Sequence, residues 1–318
     1  HRAWSSRHFH PMNSGPEPQC PCCGAANPRD LGRLPDSVWF AGERLETLLP
    51  GGHLFRCRAC HLKFRLPVLS EDAYRHHYDN ARTTTWAHEV PRPDWNLVAA
   101  HVHGYLPTGG RVLDFGCYSG GLLAQLDARF ERHGVEVNGT AAALAATRAG
   151  AQVWPSLDAV PPSMKFDAIL AVDVVEHFVD PARLLDRLAD RLGDRGIIVM
   201  TTGDADNRWW NQFGANWWYC AFPEHVAFVS SGWITQAVAT RGFTVLRCES
   251  FRYGELSGMQ RALGFVAILA YGWFPRAVLR MRSALLSILG RPERAGAPGA
   301  GVVSDHLLIV LKRVEFRP

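Results

Sequence analysis

Three things are scarce in this chain of 318 residues: net charge, long apolar runs and an apolar beginning. The formal charge is only +4, with 34 Lys and Arg against 30 Asp and Glu, too slight to demand a nucleic-acid partner. The continuous apolar run Leu263 to Phe274 falls short of the roughly twenty residues that cross a bilayer. The opening HRAWSSRHFHP lacks the uninterrupted apolar core that a secretory signal needs, and Met12 follows it. We therefore expect residues 1–11 to be an upstream extension, residues 1–15 to be a disordered or non-native leader, and the compartment to be the cytoplasm. There thiols stay reduced, and paired cysteines are more readily metal ligands than disulfides. What remains is an ordinary globular composition, 47% apolar and 20% charged, long enough for one large α/β domain with a smaller appendage.

The eight cysteines are unevenly spread, five of them in CPCC (Cys20, Cys22, Cys23) and CRAC (Cys57, Cys60). Cys20 with Cys23, and Cys57 with Cys60, make two CxxC knuckles, each able to turn two thiolates toward one zinc at about 2.3 Å. Cys22 falls outside that spacing and reads as a spectator. Gly24 gives the first knuckle the backbone freedom that such a turn needs. Four thiolates leave no open position for a reacting water, so a structural zinc is expected in a ribbon-like head over residues 16–68.

A helical connector is expected over 69–108. LKFRLPVLSEDAYRHHYDN reads as a strand end, a proline turn and a helix capped by Ser70 with Glu71 and Asp72 in its first turn, and a second helix is expected from about Trp86 to Pro107. His76, His77, His88, His101 and His103 crowd this connector without regular spacing and receive no catalytic role.

Next comes RVLDFGCYSGGLLAQLDARF, read as a short strand, a glycine turn and an amphipathic helix, the setting in which cofactor loops belong. The following strand, GVEVN, places Glu136 about twenty residues after Gly116, where a carboxylate takes ribose hydroxyls. The middle glycine of a dinucleotide loop is missing, because Tyr118 stands there. A pyrophosphate needs close backbone approach at that point, whereas S-adenosylmethionine carries no phosphate. Asp114, just before the turn, suits a ligand bearing an ammonium and a sulfonium.

In VLDFGCYSGG, GVEVN, FDAILAVDVVEHFVDPARLL, DRGIIVMTTG, PEHVAFVS and SDHLLIVLKR, taken in that order after the two knuckles, the chain resembles the class I S-adenosylmethionine-dependent methyltransferases. More narrowly, it resembles their branch with an N-terminal zinc-binding head. The resemblance implies an α/β, Rossmann-like, mostly parallel seven-stranded sheet over 109–318, with an antiparallel last strand and a helical insertion at about 258–300. It implies that Asp114, Gly116 and Gly120 cradle the methionine half of the cofactor, that Glu136 holds the ribose and that Cys117 and Asp173 line the same site; Tyr118 departs from the family pattern and either packs over the cofactor or points away into the helix. The adenine position falls in VWPSLDAV, where Ser156 or Leu157 stands at the family's usual acid and Asp158 is nearby.

In an open α/β sheet ligands lie at the carboxyl ends of the strands, where Asp173, Glu176 and His177 emerge before Asp180 and Pro181 begin the next helix. Methyl transfer needs alignment, and a base if the acceptor is a hydroxyl or an acidic carbon. His177 and His225 are the candidate bases. A divalent metal held by Asp173, Glu176, His177 and His225 is the alternative. The aromatic segment DNRWWNQFGANWWYCAFPEH reads either as an acceptor-side lid or as cover for the sheet edge. RAVLRMRSALLSIL sets Arg276, Arg280 and Arg282 among leucines, which suits either peripheral contact with an anionic membrane through 261–290 or a helical pair packed on the domain or a dimer partner. GRPERAGAPGAG follows as a flexible return loop.

The expected function is S-adenosylmethionine-dependent methylation of a hydroxyl or carbon on a sugar, glycan precursor or specialised metabolite. Two other readings stay open. An RNA methyltransferase would use the zinc head to grip nucleic acid, but the charge is modest and DVVEH replaces the Asn/Asp-Pro-Pro-Tyr text of many amine methyltransferases. A non-catalytic scaffold would explain the lost glycine at Tyr118.

Overall fold

A computed structural model describes residues 17–41, 43–80, 92–254, 256–288 and 298–314. The expected leader, His88 and residues 290–297 of the return loop lie outside the described residues. Strands β1 (Arg29–Arg33), β2 (Ser37–Phe40), β3 (Glu43–Leu49), β4 (His53–Arg56) and β5 (Lys63–Leu66) build the head, with β1, β4 and β5 antiparallel neighbours and β2 and β3 a separate hairpin. Both knuckles close in the same way: Cys20 N–H donates to Ala25 O at 2.9 Å and Cys57 N–H to Leu62 O at 2.8 Å. Gly24 has φ +71°, and His61, one residue past its own CxxC, adopts the same left-handed turn at +64°.

Helix α1 (Glu71–Asn80) is capped as expected, Ser70 Oγ accepting from Ala73 N–H at 3.3 Å. Helix α2 (Pro93–Tyr105) corrects the expected start near Trp86. Pro93 opens it, since a ring that fixes φ and lacks an N–H suits a first turn; residues 86–91 lie outside the described residues.

The remaining elements are β6 (Gly110–Phe115), β7 (Phe130–Val135), α3 (Gly139–Ala149), β8 (Gln152–Trp154), β9 (Phe166–Val172), α4 (Pro181–Ala189), β10 (Leu192–Gly203), α5 (Arg208–Phe213), β11 (Ala227–Phe228), α6 (Ser231–Ala239), β12 (Phe243–Phe251), α7 (Gly258–Trp273), α8 (Pro275–Ile288) and β13 (His306–Arg313). Seven of the strands form one sheet in the order β12-β13-β10-β9-β6-β7-β8, in which β13 runs antiparallel to both β10 and β12. Strands β9 and β10 are buried on both faces, which is why their text reads as continuous apolar runs. Chain order reverses between β6 and β9, the switch point at which such sheets open a crevice.

Two elements differ from the sequence reading. The helix expected over LLAQLDARF is a single 3-10 turn, Leu123–Gln125. Leu122, Leu123 and Leu126 are buried in one cluster with Trp95, Val98 and Val102 of α2, so that helix already fills the space. Gly121 lies so close that a Cβ there would come within 2.3 Å of the Trp95 ring. The second strand starts earlier than GVEVN, at Phe130, and ends just before Glu136.

Strand β11 leaves the large sheet altogether and pairs antiparallel with β5, Ala227 opposite Phe64 and Phe228 opposite Lys63, completing a four-stranded head sheet. Buried Arg65 fastens this junction: its guanidinium donates to His225 O (3.0 Å), Gly51 O (2.9 Å), Cys220 O (2.7 Å) and Phe222 O (3.0 Å). The aromatic segment is core rather than lid. Trp210 and Trp217 are fully buried among Leu54, Phe228, Ile268 and Tyr271, between the head strands and α7.

Candidate active site

The glycine turn follows β6 with three residues in left-handed conformations, Gly116 (φ +82°), Tyr118 (+45°) and Gly120 (+74°). Gly116 is exposed on the loop, and a Cβ there would press on Val174 at 2.7 Å; one at Gly120 would meet the Ala145 backbone of α3 at 2.8 Å. Tyr118 holds a conformation costly for a side chain of its size, and its cost is offset by Glu136. Tyr118 N–H donates to Glu136 Oε2 at 2.9 Å and Asn138 N–H to Oε1 at 2.8 Å, which fixes the carboxylate at the end of β7. Cys117 is buried beneath the loop, so close to β7 that a Cβ at Gly134 would come within 2.5 Å of its Sγ. Its place is structural packing.

Asp114, next to last in β6, is fully buried, and burial together with the nearby Glu136 charge pushes its carboxyl up to about 7. Burial raises Glu136 as well, against the backbone hydrogen bonds from Asn138, Tyr118 and Val137 that lower it. Of the adenine candidates, Ser156 caps a short turn by accepting from Ala159 N–H at 3.3 Å, Leu157 is buried, and Asp158 turns outward to Arg187 at 2.7 Å.

Asp173 follows β9 with φ +53°. Its carboxylate accepts from Arg92, which also binds Asp94 and lies over the rings of Trp95 (5.4 Å) and Tyr253 (5.0 Å). This pairing corrects the four-ligand metal set, because the groups that converge are Glu176, His177 and His225, with ligand atoms all within 4.8 Å of one another, and Asp173 is outside that group. Glu176 accepts from Tyr219 Oη and from Thr202 Oγ1 (3.0 Å). His225 Nδ1 donates to Tyr219 O at 3.0 Å, while His177 Nδ1 lies 3.0 Å from Tyr78 Oη and 3.2 Å from Glu224 O. Burial pushes both imidazoles down, His225 well below the ordinary histidine value, and pushes Glu176 up to about 7 with help from Asp173.

Several residues here had no sequence signal. Arg92 precedes a helix, Tyr78 ends one, and His306 begins a strand. Because β13 is antiparallel, it delivers His306 to the carboxyl edge opposite Gly203 and Phe251. There His306 Nδ1 bonds Asp305 Oδ1 (2.9 Å), Trp218 Nε1 donates to Asp305 Oδ2 (2.7 Å) and the imidazole stacks on Tyr253 at 4.7 Å. Burial alone would lower this imidazole; the Asp305 carboxylate raises it.

In the head, Cys20, Cys23, Cys57 and Cys60 converge, and Cys22 is not one of the four. The Cys20–Cys60 and Cys23–Cys57 sulfurs are 3.6 and 3.5 Å apart, close to the edge of about 3.8 Å that a zinc tetrathiolate requires. Cys57 Sγ also accepts from the N–H groups of Ala59 and Cys60, both at 3.4 Å.

With this geometry in hand, comparison with known families matches a methyltransferase domain to residues 74–247, more than half of the chain. The chain belongs to the methyltransferase domain family. Its relatives include the Ubiquinone biosynthesis O-methyltransferase of Bradyrhizobium diazoefficiens, 33% identical over 113 residues (33% of this chain, 43% of that protein), and that of Rhodopseudomonas palustris strain HaA2, 30% identical over 114 residues (33% and 44%). The chain thus spans less than half the length of these curated relatives. Among solved structures it is similar to the 1,6-didemethyltoxoflavin-N1-methyltransferase of Burkholderia thailandensis, at 14% identity, 81% and 98% coverage and a TM-score of 0.48. The cofactor of this family is S-adenosylmethionine, and the residues present fit it. Two buried carboxylates, Asp114 and Glu136, mark a place suited to a cationic ligand.

Proposed function

We propose that this protein transfers a methyl group from S-adenosylmethionine to a hydroxyl or carbon of a sugar, a glycan precursor or a specialised metabolite. The cofactor supplies an electrophilic methyl on a cationic sulfur. Asp114 and the Gly116–Gly120 turn hold its methionine half, Glu136 takes the ribose hydroxyls, and Arg92, steered by Asp94, meets the carboxylate. Cys117 packs under the turn and Tyr118 borders it. Asp173, held by Arg92, would line the same site.

The observation that carries the acceptor side is the Glu176, His177 and His225 group on the same carboxyl edge. A neutral imidazole there would accept the proton of an acceptor hydroxyl. The convergence of three ligand atoms within 4.8 Å supports a second reading, in which a divalent cation held by these three residues would lower the acceptor hydroxyl's pKa. Retained turnover after exhaustive chelation, with the head metal still bound, would separate the base from the cation. The head cluster is proposed to hold structural zinc. An RNA substrate has less support, since β11 and Arg65 commit the head to the body of the protein rather than to a free gripping surface.

The test is calorimetric titration with S-adenosylmethionine and S-adenosylhomocysteine, followed by a methyl-acceptor screen of sugar nucleotides, lipid-linked sugars and hydroxylated ring compounds. Binding of both ligands that Glu136→Ala abolishes is the expected result. A protein that binds neither is the non-catalytic scaffold.

A further inference from the structure

Helices α7 and α8 form a hairpin whose inner side is well accounted for. Ile268 and Tyr271 are buried, Phe265 packs edge-on to Trp209 at 5.5 Å, Tyr271 does the same to Phe213 at 5.3 Å, and Gly264 admits Val302 so closely that a Cβ would clash at 2.5 Å. The outer side of an ordinary surface helix is then polar. Here it is not. Met259, Leu263, Val266, Leu269 and Trp273 follow one another at spacings of four, three, three and four residues, a single stripe of α7, and all are exposed, Met259 by 75% and Trp273 by 81%. On α8, Met281, Leu285 and Ile288 repeat the pattern, with Ile288 82% exposed. Phe274, exposed at the bend between the helices, joins the two stripes into one ridge.

The charges around this ridge have one sign. Between Ser257 and Ile288 the sequence contains four arginines, Arg261, Arg276, Arg280 and Arg282, and no Asp, Glu or Lys. Arg280 precedes Met281 at one side of the α8 stripe, where a long side chain lays its stem along apolar surface and reaches out with the guanidinium. Neither helix is long and apolar enough to cross a membrane. At 16 residues, α7 reaches about 24 Å, short of the roughly 30 Å hydrocarbon core.

We propose that the α7–α8 hairpin seats this protein on an anionic lipid surface, its apolar ridge lying in the boundary between headgroups and acyl chains and its arginines meeting the lipid phosphates. An apolar stripe edged with arginine and carrying Trp and Phe at its bend has the chemistry of an interfacial element. Charge argues against a second copy as the occupant, since an isologous contact through this ridge would bring eight arginines together without one acid from the hairpin. The inference stands on the hairpin alone and does not depend on the methyl-transfer reading.

The test is flotation of the full chain with vesicles of phosphatidylcholine alone and of phosphatidylcholine with phosphatidylglycerol. Recovery with the anionic vesicles, weakened by added salt, is expected. Trp273→Ser with Phe274→Ser should reduce recovery about tenfold while leaving the melting temperature and S-adenosylhomocysteine binding unchanged, because both side chains are largely exposed. Arg276→Gln with Arg280→Gln should weaken partitioning to anionic vesicles about fivefold per charge and leave the neutral vesicles unaffected. A protein that stays unbound with anionic vesicles, or a double aromatic variant that floats as well as the parent, overturns the proposal. So does a dimer in sedimentation that Trp273→Ser with Phe274→Ser dissociates, for that result gives the ridge to a second copy.

Discussion

The four thiols of the head and the buried acids of the sheet edge are both clusters of ligand groups, yet they are assembled in opposite ways. Each half of the thiol cluster is closed by one short turn, with the local bonds Cys20 N–H to Ala25 O and Cys57 N–H to Leu62 O. Glu136, Asp173 and Glu176 are instead held by partners distant in the chain, among them Tyr118, Arg92, Thr202 and Tyr219. A cluster built from turns would depend on a bound metal, whereas one built from strand ends depends on the sheet.

The largest effect expected from that difference is at the head. Cys57→Ser with Cys60→Ser, or removal of the metal by a strong chelator, should unfold the head, because the binding free energy of a structural zinc is of order 10 kcal/mol. Loss of the head's protection in hydrogen exchange, with stoichiometric zinc released, is the measurement; unchanged protection would show that the sheet alone suffices. Next comes the link between the two regions. Arg65→Met should destabilise the protein by about 3 kcal/mol, since four carbonyls lose a buried cation at once, and a denaturant midpoint checks it.

At the sheet edge the effects should be on ligand rather than on fold. The free Asp114 carboxyl sits up at about 7 because it is buried beside Glu136. A cationic ligand favours the ionised form and so lowers this value, which means that binding releases a proton. S-adenosylmethionine affinity should therefore rise with pH through about 7, level off above it and fall up to about tenfold per unit below it. Calorimetry in buffers of different ionisation enthalpy reads the released proton, and Asp114→Asn should flatten the profile. The smallest effect belongs to a purely local device: Asp180 caps α4 by accepting from Ala182 and Arg183 N–H, both at 3.1 Å, and Asp180→Ala should cost about 1 kcal/mol without touching ligand affinity.

The same contrast explains what could be read from the sequence. The CxxC pairs, the Asp180 cap and the apolar β9 are local patterns, and each appears where its text places it. So does Glu136, whose distance from Gly116 reflects one strand-turn-strand passage. The helix after the glycine loop was misread because its leucines have helical spacing, and only the arrival of Trp95 from α2 shows that they are needed as an extended packing surface. Arg92 and His306 carried no local pattern at all. A single arginine before a proline, or a histidine at a strand start, gains meaning only when an antiparallel strand or a neighbouring connector brings it to the carboxyl edge.

Strand β11 has a practical consequence for anyone who would shorten this protein. Val226 N–H donates to Glu176 O at 2.8 Å while Val226 O accepts from Arg65 N–H at 2.8 Å, so one residue touches both the head and the acid at the sheet edge. Cutting the chain after residue 68 to obtain a minimal enzyme would strip β11 of its paired neighbour β5, leave the carbonyls of His225, Cys220 and Phe222 without their cation, and bare a sticky strand beside the reacting groups. The cysteine-bearing segment is a keystone, and its removal should yield an aggregating fragment rather than a smaller catalyst.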